Sequence, residues 1–141
     1  MKKLINISFI YFILAMIGGV FYREFTKFFD FTQKTTLAFL HFHLLVLGTL
    51  VFLILALFSI NTDLLNHKKF NIFLKLYNIA LPFTVIMLLI RGIIQVLGTE
   101  ISSSINASIS GLSGIAHILI FISFTILFLV LRNLNIYKNN N

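Results

Sequence analysis

Four long apolar runs, separated by short polar stretches, dominate the pattern of hydrophobic and polar positions along the chain. They cover approximately residues 4–22, 36–60, 73–97 and 112–131. A helix needs about 20 apolar residues to cross a hydrocarbon core of ~30 Å, and lipid offers no partners to backbone groups outside a helix or a closed barrel. The pattern therefore predicts an all-α integral membrane protein: one domain, residues 1–141, in which four spanning helices form an antiparallel bundle.

The composition also favours a place in lipid. Of the 141 residues, 59% are hydrophobic and 11% are charged, whereas soluble domains are roughly 45–50% apolar and about 25% charged. The chain has no cysteine, which excludes disulfides, thiolate metal sites and covalent c-type haem attachment. The N-terminal run passes through Gly18 and Gly19 without a small-residue cleavage site, so we expect a retained first span rather than a signal peptide.

The net charge of +7 indicates contact with a lipid surface rather than with nucleic acid, because the basic residues stand mostly at the ends of the apolar runs. With a cytoplasmic N-terminus, seven basic residues lie inside: Lys2, Lys3, Lys68, Lys69, Lys75, Arg132 and Lys138. Three lie outside: Arg23, Lys27 and Lys34. This imbalance predicts a multi-pass protein of the cytoplasmic membrane with both termini inside.

Two further features mark the second half of the chain. Pro82 lies within the third run, where it removes a backbone hydrogen bond and predicts a bend that serves packing. The stretch Ile101–Gly111 is rich in Ser and Asn. It predicts an outer loop, with or without a short surface helix.

Three histidines fall inside the predicted spans. His41 and His43 belong to the second helix and His117 to the fourth. His41 and His117 are each about five residues below the outer ends of their helices, which places both ~7–8 Å inside the outer boundary. Ionisable groups at such positions are costly and indicate a functional site. Further polar residues gather in the same half of the bundle: Tyr22, Arg23, Glu24, Arg91, Gln95 and Glu100.

Helical geometry separates the two histidines of the second helix. Residues 41 and 43 are about 200° apart around the axis, so they cannot both face one centre. His41 shares its face with Gly48, and small residues let another helix or a flat cofactor come close. His41 is therefore the predicted inward ligand, and His43 supplies a supporting hydrogen bond or a separate site. Gly18 and Gly19 lie at a similar depth on the first helix.

An apolar slot lined by Gly and Phe, with one histidine from each of two facing helices, matches the needs of bis-imidazole haem b. His41 and His117 are the predicted axial ligands of the iron. The propionates of such a haem would point outward, toward Arg23, Lys27 or Arg91. This is the leading hypothesis for the three histidines.

Two alternatives remain open. A copper or zinc ion could be held by a set of imidazoles and carboxylates. The candidate donors are His41, His43, His117, Glu24 and Glu100. The opposed directions of His41 and His43 count against such a compact site.

In the second alternative the histidines and Arg91 form a structural polar network in a non-enzymatic membrane subunit or assembly factor. His67 lies between the second and third runs beside two lysines and is expected to be solvated.

The sequence resembles a known family in four stretches: Gly19–Lys27, Lys34–Leu37, His41–Gly48 and Gly111–Leu119. They are similar to a bacterial family of small four-span membrane proteins, catalogued as domain of unknown function 2871. The resemblance covers essentially the whole chain. It implies the four-span fold and no established activity.

The motif His-x-His-Leu-x-x-Leu-Gly at His41–Gly48 also resembles the histidine-bearing helices of the haem–copper oxidase subunit I superfamily and its small four-span relatives. That resemblance implies haem b ligation, with His41 or His43 and His117 as axial candidates. The chain has too few spans and histidines for oxygen reduction and proton pumping. We therefore expect a b-type haem protein that transfers electrons, senses a diatomic gas or handles haem. Its expected partners are a membrane redox protein or further copies of itself, and a stand-alone enzyme is the weaker hypothesis.

Overall fold

The computed structural model describes residues 1–135, so Lys138 of the predicted topology lies outside the described residues. Within that range the chain forms four long helices and no strand: α1 (Lys2–Phe28), α2 (Thr36–Phe58), α3 (Lys68–Leu97) and α4 (Ser103–Arg132). Each helix is long and apolar enough to cross a membrane. The predicted all-α, four-span fold is confirmed, while the side of the membrane that the termini face stays a prediction.

Three of the helices are longer than the apolar runs that predict them. α1 continues beyond residue 22 to Phe28, and α3 begins at Lys68. α4 begins at Ser103, so the loop predicted for Ile101–Gly111 is wrong from Ser103 onward. The hydroxyl of Ser102 caps this helix by accepting a backbone amide, and serines within the first turns donate to carbonyls four residues earlier. Polar residues of this kind can therefore continue a helix when their hydroxyls are satisfied by its own backbone.

The winding of α2 changes along its length. Its four segments are a 3-10 turn (Thr36–Phe39), an α-helical turn (Leu40–His43), a π-helical segment (Leu44–Leu50) and a regular α-helix (Val51–Phe58). At the end of the π segment the Val51 amide donates to the carbonyl of Val46, five residues earlier. Such wide turns are rare in proteins and are frequent at functional sites.

Glycines bring α2 close to both of its neighbours. The contacts pair Gly18 of α1 with Leu40, Gly48 with Tyr11 of α1, and Gly92 of α3 with Leu37. A Cβ atom at any of the three glycines would collide with its partner, and small residues of this kind are a common means of close helix approach in membranes. α2 therefore lies between α1 and α3, whereas α4 packs chiefly against α3.

Tyr77 of α3 stands where α2, α3 and α4 meet. Its ring is fully buried, with its centroid 5.8 Å from that of Phe52 on α2 and 5.3 Å from that of Phe124 on α4. Its hydroxyl donates a 2.8 Å hydrogen bond to the carbonyl of Leu47 on α2. This bond satisfies a polar group that would otherwise be costly to bury. The three helices thus share one aromatic centre.

Asp63 joins the loop between α2 and α3 to the chain that follows α4. Its carboxylate accepts hydrogen bonds of 3.1 Å from both the backbone amide and the side-chain amide of Asn135. The Asp63 amide donates in return to the Asn135 carbonyl at 3.3 Å. These donors favour the charged carboxylate and hold the pKa of Asp63 below its ordinary value.

Candidate functional site

His41 lies at the contact between α1 and α2. A Cβ atom on Gly19 of α1 would stand 3.7 Å from the Cβ of His41, so the two residues share one depth. The imidazole meets the ring of Phe42 edge-on. Its Nδ1 atom is buried and has no hydrogen-bond partner within residues 1–135. His41 therefore faces α1.

His43 and His117 share one local geometry. Nδ1 of His43 lies 2.8 Å from the carbonyl oxygen of Phe39, and Nδ1 of His117 lies 2.8 Å from that of Ser113. Each acceptor is four residues earlier in the same helix. Because a carbonyl only accepts, each Nδ1 must carry the proton, and each neutral ring keeps its lone pair on Nε2. An imidazole anchored in this way is prepared to bind a metal through Nε2.

The contacts of α3 with α4 fix the depth of His117. Phe124 lies beside Tyr77, and the Ser110 hydroxyl is 2.7 Å from the guanidinium of Arg91. Residue 117 is seven positions from both 110 and 124, and residue 84 is seven positions from both 77 and 91. In an antiparallel pair His117 therefore lies level with Thr84 of α3.

The depth of His43 follows from the contact between α2 and α3. Leu37 lies against Gly92. Residue 43 is six positions along α2 from that contact, and residue 86 is six positions back along α3. His43 is therefore level with Ile86, two residues from Thr84. At 1.5 Å per residue, His43 and His117 lie within about 3 Å of one depth.

Both imidazoles flank the same face of α3. Tyr77, Thr84 and Arg91 recur every seven residues and so share one helix face. That face contacts α4 through Phe124 and Ser110, and it reaches α2 where the Tyr77 hydroxyl meets the Leu47 carbonyl. Leu47 is one turn from His43, and His43 points away from α1 because His41, on the other side of α2, points toward it. Thr84 itself is buried and small.

The surroundings of the two imidazoles are apolar and open toward lipid. His43 is half-buried in a shallow depression of α2, whereas His117 is exposed on α4. The depression is lined by Phe39, Phe42, His43, Val46 and Leu47. On α4, Phe121 lies one turn from His117 and is 71% exposed. Together these side chains could receive a large apolar ligand between α2 and α4.

Arg91 is the basic residue on this face of α3. Its guanidinium donates to the side chain of Asn106 and to the hydroxyl of Ser110, and thereby ties α3 to α4. Both partners are neutral, and no carboxylate of residues 1–135 forms an ion pair with the guanidinium, so its charge could serve an anion. Arg91 is seven residues, or ~10 Å, further along α3 than Thr84.

Other predicted residues lie elsewhere. Arg23 is 80% exposed and pairs with Glu24 at 3.6 Å; it lies on α1 one turn beyond Gly19, the residue that His41 contacts. Gly48 is covered by Tyr11, so this glycine serves the approach of α1 rather than an open slot. The sequence predicts a solvated His67, but this residue is half-buried, and its Nδ1 has no partner in the described chain.

No compact metal centre is found in residues 1–135. No three histidine or carboxylate side chains in this range converge closely enough to hold an ion. His41 faces α1, and α4 packs chiefly against α3, so His41 and His117 belong to different helix contacts. A copper or zinc site therefore gains no support. The pair that does share a depth and a face is His43 and His117.

Two residues of this region were missed by sequence reasoning. Thr84 and Tyr77 look like ordinary residues of an apolar helix, and their place at the junction depends on which helices neighbour α3. The seven-residue spacing of Tyr77, Thr84 and Arg91 is the one signal that could have indicated a common face.

A family model described as a protein of unknown function (DUF2871) matches residues 1–134. No curated protein and no solved structure matches the chain, so the resemblance to the haem–copper oxidase superfamily gains no support. The family match agrees with the four-span fold and spans all four helices. The chain belongs to the DUF2871 family.

Proposed function

We propose that this membrane protein binds one haem b between α2 and α4, that His43 and His117 would hold its iron, and that the protein transfers electrons. The supporting observation is the shared anchoring of the two imidazoles: both Nδ1 atoms bond a carbonyl of their own helix. His43 and not His41 is the ligand from α2, because His41 faces α1. A donor set of two imidazoles would suit electron transfer better than gas binding.

The chain's own residues fit the group. Nε2 of His43 and of His117 would hold the iron, and the apolar side chains of α2 and α4 would exclude water from the ring. The free charge of Arg91 suits a propionate, since arginine binds carboxylates in a bidentate manner. When bound, haem supplies one-electron chemistry. A low-dielectric pocket and the carbonyls behind the two imidazoles would tune its potential.

Absorption spectroscopy tests this proposal. Protein purified from cells with an ample haem supply should show the Soret and α bands of reduced haem b. His43→Ala and His117→Ala should each lose these bands, because each removes one residue that would hold the iron. His67→Ala is the matched control, since His67 lies in the loop between α2 and α3, and it should keep the spectrum.

The result for His41→Ala decides between the two histidines of α2. Retention of the bands in this variant supports His43 as the ligand. Loss of the bands in His41→Ala but not in His43→Ala would restore the ligand predicted from the sequence. A helical, monodisperse parent protein that stays colourless with ample haem would overturn haem binding altogether.

A structural role in a membrane complex is the second candidate. The hydrogen bonds of Arg91 to Asn106 and Ser110 join two helices without any ligand. In that case Arg91→Leu should weaken the association of α3 with α4, and replacement of His43 or His117 should leave the absorption spectrum of the protein unchanged.

A further inference from the structure

The π-helical segment Leu44–Leu50 separates the histidines of α2 from the rest of that helix. A π turn holds about one residue more than an α turn. Each residue of an α-helix advances by about 100°, so one extra residue rotates everything beyond it by about that angle. The direction in which His43 points therefore depends on whether the π segment persists.

Two hydroxyl groups from neighbouring helices donate into this segment. From α3, Tyr77 donates to the Leu47 carbonyl at 2.8 Å, and from α1, Ser8 donates to the Thr49 carbonyl at 2.8 Å. Both donors are buried. A carbonyl oxygen has two lone pairs and can accept such outside donors. The wide turn is thus held from both sides.

The ring of Tyr77 is itself fixed. It stacks on Phe73 of its own helix with centroids 5.0 Å apart, and it packs between Phe52 and Phe124. The hydroxyl is consequently presented to Leu47 by a rigid support. Its hydrogen bond joins α3 directly to the turn that orients His43.

We propose that Tyr77 is a positioning residue: its hydroxyl holds the π turn of α2 and thereby turns His43 toward the face of α3 that His117 flanks. The role of His43 rests on the haem proposal, whereas the control of helix rotation does not. If the segment relaxes to a regular α-helix, the part of α2 that precedes it shifts by one residue. Each position in that part is then occupied by the next residue of the chain. Leu44 then takes the place of His43, and Phe42 that of His41.

Electron paramagnetic resonance measures this rotation without haem. Single cysteines at positions 39 to 46, in a chain that has no cysteine of its own, would carry nitroxide labels in lipid vesicles. Oxygen accessibility in the parent should peak at the exposed positions Phe39, Phe42 and Val46. In Tyr77→Phe the peaks should move by one residue, to positions 40 and 43, because the rotation brings the next residue to lipid.

Tyr11→Phe is the matched control. Tyr11 is also buried, but its hydroxyl donates to the side chain of Asn78 at 3.1 Å and not to the backbone of α2. The accessibility pattern should stay at the parent positions in this variant. A general loss of packing would change the accessibility pattern in both variants, whereas a loss of the π turn shifts the pattern only in Tyr77→Phe.

Deletion of Val46 supplies a rescue. The deletion removes the extra residue, so a regular α-helix then leaves His43 in its parent direction without the Tyr77 hydroxyl. In Tyr77→Phe combined with this deletion, the peaks should return to positions 39 and 42, and haem absorbance lost in Tyr77→Phe should return with them.

The positioning role of Tyr77 and the haem site of His43 and His117 are contradicted by different results. An unchanged accessibility pattern in Tyr77→Phe would overturn the positioning role, and would mean that the packing of Leu40 and Leu44 against α1 alone orients the helix; haem binding by the parent would be unaffected. A shifted pattern in a parent that binds no haem would uphold the positioning role and refute the haem site.

Discussion

The Asp63 carboxylate accepts two hydrogen bonds from Asn135, and its lowered pKa has a consequence for pH. A carboxyl whose pKa is lower in the folded chain stabilises that fold when it is ionised. The contribution is complete above the pKa of an unfolded aspartate, about 3.9, and is lost as the pH falls through the lower pKa of the folded state. Acid should therefore release the chain after α4 from the loop between α2 and α3.

Nuclear magnetic resonance of the protein in detergent micelles measures this release. The chemical shift of the Asn135 amide proton should titrate with a midpoint below about 3.9, because this amide donates to the titrating carboxylate. In Asp63→Asn the titration should vanish. Asp30→Asn, which alters an exposed carboxylate elsewhere in the chain, should leave it in place. A midpoint at or above that of a free aspartate would contradict the role of Asp63.

Between elements, the contact of α1 with α2 depends on the absence of a side chain at Gly48. A Cβ atom there would stand 2.6 Å from both Cβ and Cγ of Tyr11, so the helices would have to separate. We expect Gly48→Ala to lower the free energy of unfolding by about 1–3 kcal/mol, the usual cost of overpacking. Unfolding by a denaturing detergent, followed by circular dichroism, measures the change.

Gly111→Ala is the matched control for Gly48→Ala. A Cβ atom at Gly111 would meet nothing within 4 Å, and alanine is a better helix former than glycine by up to about 1 kcal/mol. Its stability should therefore be unchanged or slightly higher. Equal losses in both variants would show that flexibility of the glycine, and not the contact with Tyr11, determines the effect.

The helices themselves were predictable because each apolar run meets the length that a bilayer demands. The ends were less so, since Lys68 and Ser103 begin helices in polar sequence whose backbone is satisfied by helical hydrogen bonds. The opposite directions of His41 and His43 followed from helical geometry. Helical geometry does not show which helix lies on each side of α2, because that depends on the contacts of Gly19 and Tyr77 with α2. The apolar pattern does not predict the π segment either, because that segment also depends on contacts with the neighbouring helices.

At the scale of the whole molecule, the order of packing is α1, α2, α3 and then α4. This order leaves most of α4 to lipid and opens the side of the bundle on which His43 and His117 lie. The candidate site is therefore a lateral one, and a large apolar ligand could enter it from the membrane without separation of the helices.

The basic residues predict the side of the membrane to which this site is closest. Seven basic residues lie on the side of the termini and three on the other side. This imbalance predicts that both termini and the loop between α2 and α3 are cytoplasmic. In that orientation His43 and His117 are nearer the outer surface. In intact cells a membrane-impermeant maleimide should label Ser103→Cys, at the exposed start of α4. It should reach Asn66→Cys, exposed in the opposite loop, only after permeabilisation. The reverse pattern would invert the topology and bring the histidines nearer the cytoplasm, where a haem between them would exchange electrons with a cytoplasmic partner.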